Sequence, residues 1–459
     1  MSKGQGTVGP YTEQVARYIA DASFEALPSE VVEQGKKVAL DILGVLVADS
    51  RLKIGEIIIE FVRQLGGRPE SSVIGADFKT SVVDAALCNG TLGHADELDD
   101  SHFASLTHPS CIIAPAALAV AERERSSGKD FITALVLGYD VQARIGVALD
   151  CRRLRDNNHH GSSICGNYGA CSAASHLLGL DLMQTVYALG LTTSQASGIL
   201  AWMTEDEHMA KSFQTGIASR NGVTAALLAK NGYTGPPSTL DDPKYNIFQA
   251  FSGGVEDFPP LVADLGSYFH IMGTGLKKYS AGRPIHAPLD GLLKIRREQK
   301  LTGNDIQEIT VWLGKTPADI VDGRDTPSIG LQYIMAVAAY DGKVEMEQSH
   351  SEARTKDPVV LDLRQRVRLE RDDELERIFP RTRAGIVEVV TKDGRRFKER
   401  VDYATGSPEN PMTKADVEEK TRSLATPVIG REKTERLIEM CRKLDRVDDM
   451  REVANLLRV

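Results

Sequence analysis

Seven ionisable side chains, His94, Asp96, Glu97, Asp99, Asp100, His102 and His108, crowd one short run that passes through Thr107-His108-Pro109-Ser110 into the apolar stretch Cys111 to Ala121. Carboxylates and imidazoles this close to a segment that must be buried are costly to desolvate unless chemistry, a ligand or a hydrogen-bond partner offsets the cost. This donor set suits proton transfer, because an imidazole titrates near neutrality and a carboxylate can orient it. A structural use is a helix N-terminus capped by Asp or Ser, with the helix starting near Pro109 or Ser110. The two uses are compatible.

Further stretches add to this set. His159-His160 precedes a segment with Gly161, Gly166 and Gly169, which reads as a turn whose backbone amides can approach an anion before a small-residue helix. Lys211 lies between Trp202 and Phe213-Gln-Thr-Gly216, itself read as a turn, and taken alone it reads as a solvated side chain. Lys277-Lys278-Tyr279 leads to Gly282-Arg283-Pro284 and His286. A guanidinium fork suits carboxylate there, and a basic linker is the plainer alternative. Gly323 to Ser328 reads as an ordinary polar turn.

The elements that must position these groups change in texture along the chain. Val15, Tyr18, Ile19 and Ala22 recur at helical spacing, a second amphipathic run starts at Pro28-Ser29-Glu30, and helices are predicted over Asp130 to Leu149, Gly169 to Leu178 and Leu182 to Ser197. Ala225 to Gly232 ends a further helix with a glycine cap. After about residue 265, Ile309 to Leu313, Arg366 to Leu369 and Gly385 to Thr391 carry β-branched residues, and Lys392-Asp393-Gly394-Arg395 reads as a hairpin turn. The tail from Thr413 returns to helical patterning, with Leu437, Met440, Cys441 and Leu444 on one face. The expected fold is mainly α: a helical domain over 1–265, a smaller α+β domain over 266–405, and C-terminal helices over 406–459 that pack back on the first domain.

Composition narrows the function. A chain of 459 residues exceeds one ordinary core, and its net charge of −9 without a long Lys/Arg run argues against nucleic acid as a partner. Six cysteines without a CxxC pair suit buried thiols in a reducing compartment. No apolar leader opens Met-Ser-Lys-Gly-Gln-Gly, and the run from Cys111 is short and interrupted by proline, so a cytoplasmic protein without a membrane partner is expected. No Walker lysine loop, dinucleotide fingerprint or G-x-S-x-G elbow occurs, nor an H-E-x-x-H or H-x-x-E-H metal spacing. Acid/base chemistry with no cofactor and no metal is the expectation.

Taken in order, these segments resemble the MmgE/PrpD family, which includes 2-methylcitrate dehydratase, cis-aconitate decarboxylase and iminodisuccinate epimerase. The resemblance rests on His94-Ala-Asp-Glu-Leu-Asp-Asp-Ser, Thr107-His-Pro-Ser, Gly138-Tyr-Asp, His160 with Gly166 and Gly169, Ala196-Ser-Gly198, and Lys211 with Gly216. It continues through the Ala225 to Gly235 segment, Lys277-Lys-Tyr, Gln332-Tyr to Asp341-Gly, and Gly406-Ser-Pro-Glu-Asn-Pro-Met-Thr413. It implies a large helical domain with a smaller α+β lid, a homodimer, and a cofactor-independent site in the cleft between domains. The decarboxylase branch's site residues fall on Glu97, Ser101, His108, His160, Lys211 and Lys277.

Departures bear on the reaction. Glu97 stands where the family usually has Asp, Ser101 stands for Thr, and one extra residue separates Asp100 from His108. Gly282, with Arg283 beside it, occupies the position of a histidine in the decarboxylase pattern.

The chemistry expected is proton movement at a carbon next to a carboxylate. His108 or His160 would take the proton, and Lys211, Lys277 and Arg283, with Tyr279, would hold the substrate's carboxylates. Glu97, Asp99 or Asp100 would orient the histidines, with Ser101 helping to position them. The leading expectation is a hydro-lyase acting on a hydroxy di- or tricarboxylate. An isomerase that returns the proton to the opposite face uses the same residues, decarboxylation follows, and a non-catalytic carboxylate-binding or structural dimer stands last.

Overall fold

The computed structural model describes residues 7–205, 207, 209–253 and 259–459. The chain divides into two compact units. Unit 1 takes the residues up to Ala95, then Asp99–Thr274 and Lys414–Val459, and unit 2 takes Asp96–Leu98 and Gly275–Thr413. The protein is mainly α, with a smaller α+β region in unit 2.

Unit 1 holds the helices α1 (Ser29–Asp49), α2 (Val82–Leu92), α3 (Ser110–Glu124), α4 (Gly128–Ala148), α5 (Gly161–Leu177) and α6 (Met209–Lys230). Small residues line many of their faces, which lets backbones approach closely and makes contact area the source of stability. Helix α6 packs on α5 and α2, while α4 packs on α5. The start of α4 is fixed by a capping box in which Ser127 and Asp130 satisfy each other's backbone amides. This helix is long and apolar enough to cross a membrane, yet 94% of its apolar window is buried inside the protein, so it serves as a core helix.

Two local readings change. Gly161, Gly166 and Gly169 lie within α5 rather than in a turn before it, and Phe213 to Gly216 lies within α6. The reason is packing: a Cβ on Gly166 would sit 2.4 Å from Ile112 Cδ1 of α3. Glycine serves close helix contact there, a tertiary demand that outweighs its poor helix propensity.

Unit 2 is built around a four-stranded sheet of β1 (Ile306–Leu313), β2 (Val367–Arg371), β3 (Gly385–Thr391) and β4 (Arg396–Val401), in the order β2-β1-β3-β4. The β1–β2 pair is parallel and the other two pairs are antiparallel, with Val311 opposite Val387 and Val389 opposite Phe397. Alternation along β1 and β3 buries Ile309, Val311, Val387 and Val389 on one face. Helix α7 (His286–Gln299) packs on β3 and β4, α8 (Leu331–Asp341) packs on α7, and the short α9 (Met346–His350) follows. The chain then re-enters unit 1 as α10 (Lys414–Arg442), which is broken at Gly430 and lies along α1, where Lys420 pairs with buried Asp41 at 2.7 Å. All six cysteines are buried free thiols.

Candidate active site

In unit 1 the start of α3 builds the first group. The amide of Ser110 donates to Asp100 Oδ1 at 2.9 Å, and the Tyr139 phenol, from α4, donates to Asp100 Oδ2. Asp100 thus ties the polar run to two helices. Burial, opposed by the Tyr139 hydrogen bond and reinforced by the neighbouring Asp99 charge, pushes the Asp100 carboxyl up to about 7.

The backbone of the same residue fixes a histidine. His108 Nδ1 lies 2.7 Å from the Asp100 carbonyl oxygen. A carbonyl only accepts, so Nδ1 carries the proton and the lone pair of neutral His108 sits on Nε2. Ser101 Oγ and Asp99 Oδ2 lie 3.4 and 3.5 Å from the same nitrogen, and the His108 amide donates to Ser162 Oγ of α5 at 3.1 Å. Asp99 is nearer to His94, with 2.9 Å between Oδ1 and Nδ1.

The second group of unit 1 forms around Trp202. His160, the residue preceding α5, has Nδ1 2.7 Å from Gln214 Oε1 of α6. The Gln214 amide nitrogen donates to the Ile199 carbonyl at 3.0 Å, which orients the amide so that its oxygen faces the imidazole. His160 therefore also carries its proton on Nδ1. Lys211, buried on α6, holds its ammonium 5.0 Å from the centre of the Trp202 ring, and His160 packs against the same indole. Gly198 lets its segment lie close against α5: its φ is 139° and a Cβ would fall 2.7 Å from Ser163 Cβ.

Both groups are bolted to the same helices. Ser162 of α5 holds the His108 amide, and Ser212 of α6 donates to the His94 carbonyl at 2.9 Å. His94, Asp99 and Cys111 place one ligand-type atom each within 4.8 Å of one another and could hold a metal by donor type. Those side chains already engage protein groups, His94 with Asp99 and the Cys111 thiol with the His108 carbonyl.

Unit 2 contains the other two candidate cations, Lys277 and Arg283. Lys277 is fully buried and its ammonium lies 3.3 Å from Glu97 Oε2. Glu97 adopts φ 58°, a left-handed backbone that costs a non-glycine residue roughly 1–2 kcal/mol and must be held by its surroundings. Arg283 is buried, donates to the Leu276 carbonyl at 3.3 Å and so braces the residue next to Lys277. Burial lowers its pKa to about 10 against the pull of Asp290 and Glu409, so it stays cationic at neutral pH. The Tyr279 phenol donates to Asp290, and its ring packs in the core of unit 2.

The structure thus gathers Asp99, Ser101 and His108 in one group of unit 1 and His160 with Lys211 in another, and pairs Glu97 with Lys277 in unit 2. Sequence reading missed Gln214 and Tyr139 as holding groups, although Gly138-Tyr-Asp and Phe213-Gln had drawn notice. It also missed His350, whose imidazole contacts Asp96.

Comparison with known proteins gives the family. The MmgE/PrpD N-terminal domain model matches residues 13–258 and the C-terminal domain model matches 279–446. Cis-aconitate decarboxylase of Aspergillus terreus is 27% identical, covering 97% of this chain and 95% of its own length. The Homo sapiens cis-aconitate decarboxylase is 26% identical over 97% of this chain and 94% of its own. The mitochondrial 2-methylcitrate dehydratase of Yarrowia lipolytica is 23% identical, covering 86% of this chain and 81% of its own. With both domain models matched in order along the chain, this protein belongs to the MmgE/PrpD family.

Proposed function

We propose that this protein is a lyase that moves a proton at the carbon next to a carboxylate, and that it adds or removes water on a hydroxy di- or tricarboxylate. The observation that carries the reading is the 2.7 Å contact of His108 Nδ1 with the Asp100 carbonyl: an oxygen that only accepts commits the Nδ1 hydrogen, so Nε2 is the atom that accepts a proton. In the elimination, His108 Nε2 takes the C–H proton, the electron pair becomes the new C=C bond, and the C–O bond breaks. The leaving hydroxide departs as water by taking a proton from His160 in its imidazolium form. Lys277 and Lys211 hold substrate carboxylates and stabilise the enediolate charge as it develops, and Arg283 adds positive potential beside Lys277. Asp99 and Ser101 orient His108, while Glu97 positions Lys277.

Decarboxylation is the second reading, favoured by the full-length similarity to cis-aconitate decarboxylases. There the bond to CO2 breaks and an imidazolium delivers a proton to the resulting carbanion. Gly282, standing where the decarboxylase pattern has a histidine, supports the hydro-lyase instead.

One assay separates the two. The protein is incubated in heavy water with cis-aconitate, citrate, 2-methylcitrate and smaller hydroxydicarboxylates, and followed by NMR, alkene absorbance and CO2 release. Interconversion of alkene and hydroxy acid without CO2 is the expected result. CO2 with a deuterated product installs the decarboxylase, and inversion with exchange but no alkene installs an isomerase. No turnover across the panel overturns the proposal.

A further inference from the structure

Asp96 is fully buried in unit 2 and is gripped from two directions. Ser280 Oγ donates to its Oδ1 at 2.7 Å, and His350 Nε2 contacts the same oxygen, while Ser280 and Ser349 hydrogen-bond each other. Burial works against an imidazolium at His350, but the charge and hydrogen bond of Asp96 together outweigh it and raise its pKa.

His350 is itself held. It ends α9, whose first turn is closed by a capping box between Glu345 and Gln348, and the Tyr333 phenol of α8 donates to the Gln348 carbonyl at 2.5 Å. Helix α8 belongs to the unit 2 core. A continuous path therefore runs from the core through α9 and His350 to Asp96, whose chain neighbour Glu97 carries the strained φ of 58° and faces Lys277. Ser280, three residues after Lys277, closes the loop by bonding the same carboxylate.

We propose that His350 is a positioning residue: by clamping Asp96 it holds Glu97 in its left-handed conformation against the Lys277 ammonium, and so sets the carboxylate-holding geometry of unit 2. This rests on the reading of Lys277 as a group that binds substrate carboxylate. His350 acts through Asp96 and touches no reacting atom in this scheme.

The test compares His350→Ala, His350→Gln and Asp96→Asn in the full-length protein. Two readouts need no substrate: amide hydrogen exchange of the peptide spanning Asp96 to Leu98, and acylation of Lys277 by acetic anhydride read by mass spectrometry. With His350→Ala, both are expected to rise by ~10-fold while the melting temperature of the protein holds, as for loss of one charge-assisted hydrogen bond. On a turned-over substrate, KM should rise by ~10-fold with kcat within ~3-fold, and His350→Gln, which keeps a donor at the same reach, should recover most of the loss. A folded His350→Ala protein with wild-type exchange, acylation and KM overturns the inference. If that variant does not fold, Asp96→Asn carries the same readouts, and unchanged values there overturn it equally. Absence of turnover by the wild type defeats the lyase reading alone, since exchange and acylation still decide the role of His350.

Discussion

His108 and His160 in unit 1 and His350 in unit 2 are the same side chain held by different partners. The first two hold Nδ1 nearest to neutral oxygens, the Asp100 carbonyl at 2.7 Å, with the Asp99 carboxylate farther off at 3.5 Å, and the Gln214 amide at 2.7 Å, and so keep their lone pairs on Nε2. His350 meets the Asp96 carboxylate, which favours its charged form. A carboxylate partner favours the imidazolium, and a neutral oxygen on Nδ1 gives it less of that stabilisation. Buried cations stand in both units, Lys211 in unit 1 and Lys277 with Arg283 in unit 2, so it is the partners of the histidines that differ between them.

The largest effect that would break this contrast is expected at His108. His108→Ala should lower kcat by ~10²–10⁴-fold with the melting temperature little changed, measured on whichever substrate the panel identifies. Retention of full activity would remove proton transfer from unit 1. Lys277→Ala should weaken substrate binding by ~2–5 kcal/mol, read as KM or a directly measured Kd, and affect kcat less. A fall in kcat at constant KM would move Lys277 from the holding role to the chemical step.

A smaller change converts one kind of histidine into the other. Gln214→Glu gives His160 a carboxylate partner, so the basic limb of the pH–rate profile, where His160 must keep its proton to act as the acid, should move up by ~1 unit. A profile that does not move would show that the partner of Nδ1 does not set the role. A separate effect concerns stability. The Asp100 pKa is raised from 3.8 to about 7, so the folded protein keeps a proton that the unfolded chain loses in that window. Its stabilisation is present below the unfolded value and is lost as pH rises through about 7, and Asp100→Asn should flatten that fall in chemical denaturation.

What could be read from sequence was what is local. The alternation of Gly385 to Thr391 and the turn at Gly394, whose φ is 87°, announced a hairpin because neighbours in the chain define it. The polar run before Ser110 announced a helix start for the same reason. Gly166 misled because its packing partner, Ile112, lies on another helix. His350 is 254 residues from Asp96, and the Glu345-x-x-Gln348 capping box signals a helix start without showing what that helix faces. The histidines of the candidate site were found by composition and resemblance, but their tautomers depend on Gln214 and on one backbone carbonyl, neither of which carries a sequence signal of its own.

The central claim is that the group held against the ring, a backbone carbonyl or amide oxygen on Nδ1 of His108 and His160 and a carboxylate on Nε2 of His350, decides which protonation state each histidine favours. It is tested most directly by nitrogen-15 NMR of histidine-labelled protein, with His108, His160 and His350 assigned by substitution. The account predicts Nδ1–H tautomers for neutral His108 and His160, with proton-accepting Nε2 shifts, and an imidazolium at His350 that persists to higher pH than theirs. Nε2–H tautomers at His108 and His160, or a His350 that loses its proton before them, would contradict it.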